Sequence, residues 1–256
     1  MKLAYREFGS GHPLVILHGL FGQSDNWNTL AKQFSSEGFH VFTVDQRNHG
    51  LSPHSEDWSY EAMADDLMEF INDHRLSKPI LLGHSMGGKT VLFFEHKYPG
   101  IAHKLIIADI AARSYEPHHQ KVLEALHAVD FNVISTRKEA EAVMTTYLSD
   151  FGTRQFLLKN IYWKDGANNT MAWRFNLPVL SRKYHAIGVE VPFFKSPCAS
   201  LIIRGEKSDY ISNADLNDFS LRFETCVQVT IEGAGHWVHA EQPAAFYAAV
   251  INFIKA

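Results

Sequence analysis

The hexapeptide "GHSMGG" (Gly83–Gly88) stands between a short apolar run, "PILL" (79–82), and a helical pattern, "KTVLFFEHKY" (89–98). It fits G-x-S-x-G, a motif that needs a strand before it and a helix behind it. Both are present here. A strand turning sharply into a helix leaves its serine at the strand tip in a strained conformation, and glycines keep side chains out of the crowded corner. Ser85 is therefore expected to be a nucleophile. The N–H of Met86, at the start of the helix, is expected to face a developing negative charge.

Outward from this turn, short apolar runs alternate with longer amphipathic segments. The runs lie at 13–19, 39–45, 79–85, 103–109, 199–205 and 226–233, and most are continuously apolar, as strands covered on both faces should be. Residues 2–9 alternate better and read as a sheet-edge strand. Helical patterns fall at about 26–36, 60–74, 86–97, 213–222 and 241–254. Such alternation implies an α/β fold, a mostly parallel sheet with helices on both faces. The pattern breaks once. Residues 112–197 hold helical pieces rich in Phe, Trp, Tyr and Met and no convincing strand. They read as a helical cap inserted between two sheet strands, over the edge where open α/β sheets bind ligands. The core is then 1–111 and 198–256.

A serine hydroxyl needs a base. Among fifteen histidines, His236 in "EGAGHWVHAEQP" is the best placed, in a Gly-rich loop between the last apolar run and the final helical pattern. The order Ser then His suits this layout. His239 should start the helix, His84 should be a packing neighbour of the nucleophile, and His18 should support its loop. His118 and His119 read as surface residues of the cap. The loop "HGLFG" (18–22) offers a second oxyanion donor, the N–H of Leu20. The acid that orients His236 has three candidate positions: Asp109 at the end of "HKLIIAD", and Ser208 or Asp209 in "RGEKSDYI" (204–211). Asp45, in "DQRNHGLS", is expected to hold its own loop through Asn48 and Ser52. Arg47, Lys89, Arg113 and Arg174 are the charges expected nearest the cleft, with Trp173 and Arg174 of the cap as candidate substrate contacts. Ordinary salt bridges are the plainer reading of these charges.

The net charge of −4, from 24 basic and 28 acidic residues without long like-charge runs, argues against a nucleic-acid partner. Two cysteines without metal-ligand spacing read as buried reduced thiols of a cytoplasmic protein. The start, "MKLAYREFGSG", has no apolar leader region, and no stretch approaches a membrane span. No cofactor or metal is implied, and the composition assigns no oligomeric state.

With "HGLFG", "DQRNHGLS", "GHSMGG" and "GAGHW" in order, the chain resembles the α/β-hydrolase superfamily over nearly its whole length. "HGLFGQSDNW", "DQRNHGLSPH", "LIIADIA", "WRFNLPVL" and "GAGHWVHAE" resemble more closely the small bacterial YbfF-type esterases, relatives of animal ABHD11-like hydrolases. The resemblance implies a serine esterase acting on small acyl esters, with acyl-CoA thioesters as a further substrate class. It also implies that the acid comes from the strand after the nucleophile, on Asp109, with a serine at the later position, on Ser208. This sequence adds Asp209 directly after Ser208, which leaves Asp209 as a rival acid. The same serine elbow serves carbon–carbon bond hydrolases, cofactor-free perhydrolases and menaquinone-pathway lyases, and a non-catalytic ligand receptor can share the scaffold.

Overall fold

The computed structural model describes residues 1–116, 119–164 and 170–256. Seven strands form one sheet: β1 (Tyr5–Phe8), β2 (His12–Leu17), β3 (Phe39–Val44), β4 (Ile80–His84), β5 (Lys104–Ala108), and, after the insertion, two strands named below. The helices of the first half are α1 (Asn28–Ser36), α2 (Tyr60–Asp73) and α3 (Met86–Lys97). The insertion carries α4 (Gln120–Ala128), α5 (Arg137–Thr145), α6 (Phe151–Leu158), β6 (Ile161–Trp163), β7 (Met171–Trp173) and α7 (Leu177–Arg182). The chain then returns with β8 (Ala199–Gly205), α8 (Asn213–Arg222), β9 (Cys226–Ile231), α9 (Val238–Glu241) and α10 (Pro243–Lys255).

The strand order is β1-β3-β2-β4-β5-β8-β9. β1 lies at the sheet edge, as the alternating 2–9 pattern suggested, and it alone runs antiparallel; every other pairing in this sheet is parallel. The central strands are buried on both faces and so lack alternation: Ile80 to His84 is buried throughout. Two apolar layers result. One, including Trp58, Phe70 and Phe94, lies between the sheet and α2 and α3 and continues into the insertion. The other, including Trp27, Phe34 and Phe246, packs α1 and α10 on the opposite face.

The insertion departs from its sequence reading in one respect. It contains a two-stranded antiparallel hairpin, Ile161 to Trp163 against Met171 to Trp173. Three-residue strands are too short to show a period, so this pair was invisible among helical patterns. Local signals fixed other boundaries well. Ser59 caps α2 by accepting the Ala62 N–H, and Ser212 and Asp215 form a capping box on α8. Among the described residues no helix is long and apolar enough to cross a membrane. Cys198 and Cys226 are both free; Cys198 is buried but Cys226 is only half-buried, so it departs from the buried-thiol expectation.

Candidate active site

The sheet order puts the C-terminal ends of β4 and β5 side by side, which brings Ser85 and Asp109 together. Ser85 follows β4 with φ 52° and ψ −119°, outside the ordinary regions for a non-glycine residue. Its neighbours explain how the turn closes. A Cβ on Gly83 would stand 2.2 Å from the Gly87 carbonyl oxygen, and one on Gly87 2.4 Å from that of Leu17. Only glycine fits either position, as the motif requires. Ser85 heads α3, whose first N–H groups, Met86 included, have no acceptor within the helix.

His236 lies in the loop between β9 and α9. Its Nε2 is 3.0 Å from Ser85 Oγ, and its Nδ1 is 2.8 Å from Asp109 Oδ2. A carboxylate can only accept, so Nδ1 carries the proton and Nε2 is free to accept from the serine hydroxyl. Asp109 follows β5 with φ 51° and is fully buried. Its Oδ1 accepts the Gly205 N–H at 2.9 Å, and its Oδ2 also accepts a short bond from the Ser208 hydroxyl. Ser208 thus meets Asp109 rather than His236. Asp209 is exposed and stands in neither the hydrogen-bond chain nor the cavity lining.

Several groups hold His236 in place. The Tyr210 ring stacks on the imidazole at 3.8 Å and 15°. The His84 Nε2–H donates to the His236 carbonyl at 2.8 Å, so His84 is more than a packing neighbour. Burial, reinforced by His239 and His236, holds the His84 pKa well below the ordinary histidine value. His239 is the second residue of α9 and stacks on Trp27 at 4.2 Å. Sequence reasoning missed Tyr210; its one signal was its place two residues beyond Ser208.

Above Ser85 lies a cavity enclosing about 960 Å³ of atom-free space, partly open to solvent. Leu20, Met86, Ser85 and His236 line its floor, and Tyr115, Val122, Phe156, Leu157, Tyr184 and Ile187 of the insertion line its walls. His119 also lines it and contacts the Tyr184 hydroxyl, so it is not a plain surface residue; His118 falls outside the described residues. Trp173 and Arg174, expected at the substrate, are absent from the lining. Trp173 stacks on Phe175 at 5.3 Å, and the Arg174 guanidinium covers the Tyr162 ring at 4.8 Å. Their short hairpin turns both side chains to the insertion's own packing.

The other expected charges are engaged internally. Arg47 makes a buried two-pronged pair with Asp66, and Arg113 pairs with Asp215 at 3.2 Å. Lys89 is fully buried, donates to the Val189 carbonyl, and lies 4.8 Å from the centre of the Tyr115 ring. Burial lowers its pKa to about 7. Asp45 does tie its loop, through the N–H groups of Ser24 (2.6 Å) and Leu51 (2.9 Å), while its carbonyl accepts the Ser52 hydroxyl; Asn48 instead bridges to Ser55.

Comparison with known proteins bears on the family and the fold. Residues 14–250 match the model of the alpha/beta hydrolase family. The chain belongs to that family. It is 38% identical over 246 residues to "Esterase YbfF" of Escherichia coli, covering 95% of this chain and 93% of that protein. It is 34% identical to the Xenopus laevis "sn-1-specific diacylglycerol lipase ABHD11", covering 96% of this chain and 80% of the relative. Among solved structures, "Marine microorganism esterase" superposes with a TM-score of 0.95 at 39% identity, over 99% of each chain. This member of the hydrolase family is a carboxylic ester hydrolase.

Proposed function

We propose that the chain hydrolyses carboxylic esters through an acyl-enzyme on Ser85, with His236 as general base and acid and Asp109 as the orienting carboxylate. Ser85 Oγ attacks the acyl carbon while His236 Nε2 takes its proton. Asp109 keeps Nδ1 protonated and stabilises the imidazolium. The N–H groups of Leu20 and Met86 receive the oxyanion, each such donor contributing about 3 kcal/mol to the transition state. The protonated His236 then donates to the departing alkoxide. Water, activated by the same nitrogen, releases the acid.

The observation carrying this reading is the unbroken chain from Asp109 through His236 to Ser85, at 2.8 and 3.0 Å, opening into a cavity with aromatic walls. Residues 112–197 act in this reading as the cap that forms the acyl site over a core of 1–111 and 198–256. Uncharged small-molecule esters fit better than acyl-CoA thioesters, because none of the described lining residues is Lys or Arg to meet phosphate. The two free cysteines accord with a cytoplasmic location. A fluorophosphonate probe tests the proposal. Peptide mapping should find the adduct on Ser85 alone, with loss of p-nitrophenyl butyrate hydrolysis in proportion to labelling. A chain left unlabelled and inactive would refute it.

A further inference from the structure

The loop carrying Leu20 is a four-residue turn, with the Gly22 N–H donating to the Gly19 carbonyl at 2.9 Å. Its third position needs a positive φ in the type II form, which favours glycine. Here Phe21 occupies it, at φ 58°. A bulky residue in that conformation persists only where its surroundings hold it.

All three peptide units of the turn are held from outside or across it. The Gly19 carbonyl accepts from His18 Nδ1 at 2.8 Å, and the Leu20 N–H is the opposite end of that same planar unit. The next unit donates the Phe21 N–H to His49 Nε2 at 3.2 Å. The third unit presents the Phe21 carbonyl to Asn160 Nδ2 at 2.8 Å, while its own N–H is the one on Gly22 that bonds Gly19. His49 can accept because its Nδ1–H is spent on the Arg47 carbonyl at 2.9 Å. Burial, followed by repulsion from His18, keeps its pKa down to about 3. His49 and Asn160 are both essentially inaccessible to solvent. Asn160 belongs to the insertion, just past α6, and its carbonyl accepts the Arg174 N–H from the hairpin at 2.9 Å.

We infer that Asn160 and His49 are positioning residues for the oxyanion site, clamping the Gly19–Gly22 turn so that the Leu20 N–H keeps its aim, and that the insertion thereby takes part in transition-state binding as well as in lining the pocket. The inference rests on the Ser85 acyl-enzyme reading and on Leu20 as a donor. It also gives the "DQRNHGLS" segment a task, since His49 comes from it.

The test is Asn160→Leu, which keeps the forked side-chain shape and removes the donor, with p-nitrophenyl acetate as substrate and an alkyl trifluoromethyl ketone as inhibitor. The ketone carbon accepts Ser85 Oγ, the proton passes to His236, and the resulting alkoxide sits in the oxyanion site. Full loss of one oxyanion donor lowers kcat by about 10²–10³. A loosened donor should lower it by about 10–100-fold, leave KM within about twofold, and weaken the ketone by the same factor as kcat. His49→Leu should behave likewise, and His49→Gln, which retains an acceptor, should recover part of the loss. If Asn160→Leu fails to fold, the smaller Asn160→Ala makes the same comparison, because it has no side-chain group to donate to the Phe21 carbonyl. A raised KM with unchanged kcat, or a lowered kcat with unchanged ketone affinity, would overturn the inference. Fluorophosphonate labelling of Ser85 in the unmodified protein separates this failure from failure of the acyl-enzyme reading.

Discussion

Asp109 adopts the left-handed region at the end of a parallel strand, where a short polar side chain is tolerated better than a branched one. There its buried carboxylate gathers the Gly205 N–H, the Ser208 hydroxyl and the His236 ring. Ser208 and His236 donate to the same oxygen, so Ser208 tunes a bond it does not make. A hydrogen bond to a charged group contributes about 1.5–3 kcal/mol, of which only the part that alters the Asp109–His236 bond reaches the rate. Ser208→Ala should therefore reduce kcat/KM for p-nitrophenyl butyrate by roughly five- to tenfold. A loss approaching that of removing Asp109 would give Ser208 a larger part than its geometry supports. Ser85→Ala, by contrast, should remove activity by a factor of at least about 10⁴ while leaving the melting temperature nearly unchanged, because the smaller side chain leaves the turn's hydrogen bonds intact.

At the scale of elements, the β4–α3 turn and the insertion play different parts. The turn tolerates no added atoms. Gly83→Ala and Gly87→Ala would each drive a Cβ into backbone oxygen at 2.2 and 2.4 Å, with no flexible side chain to give way. Each should destabilise the protein by on the order of 3 kcal/mol, read as a fall in urea midpoint at unchanged slope. An unchanged midpoint would mean that the turn can open without disturbing the sheet. The insertion contributes side chains to the cavity wall, and in the proposed function it bounds the acyl site. Val122 on α4 lines the cavity. Val122→Phe should narrow it and lower kcat/KM for the octanoate ester about tenfold more than for the acetate, since each excluded methylene is worth about 1 kcal/mol or more. Equal effects on both esters would place the acyl chain elsewhere in the cavity.

For the molecule as a whole, parallel-sheet physics made the core legible in the sequence. Continuous apolar runs such as "PILLGHS" cannot alternate when both faces are covered, and the serine elbow named its own strand and helix. Ser85 and His236 were expected from a strand end and a loop at one sheet edge, but those same signals left Asp109, Ser208 and Asp209 open as the acid, and only the family resemblance ranked Asp109 first. The insertion was readable only as helical and aromatic. Its hairpin, the inward turn of His119 and the stacking of Tyr210 depend on tertiary contacts with no local period. The same burial that orders the site should make the fold acid-sensitive. His18 and His49 have folded pKa values lowered to about 4 and about 3, chiefly by burial, and that of His84 is also well depressed. Below pH 6.5 the unfolded chain takes up protons that the folded chain refuses. Stability is therefore fully present above pH 6.5 and falls as the pH drops toward 4, by up to about 1.4 kcal/mol per pH unit for each histidine. Calorimetric melting temperatures should decline already between pH 6.5 and 5, above the range where carboxylates titrate; a flat profile there would mean that these rings protonate without unfolding. The central claim is that Asp109, from the strand beside the nucleophile, orients His236 in place of the later Asp209. Steady-state kinetics of Asp109→Asn and Asp209→Asn on one p-nitrophenyl ester test it directly. Asp109→Asn should lose about 10⁴ in kcat with Asp209→Asn near the unmodified rate, and a crippled Asp209→Asn beside an active Asp109→Asn would contradict the account.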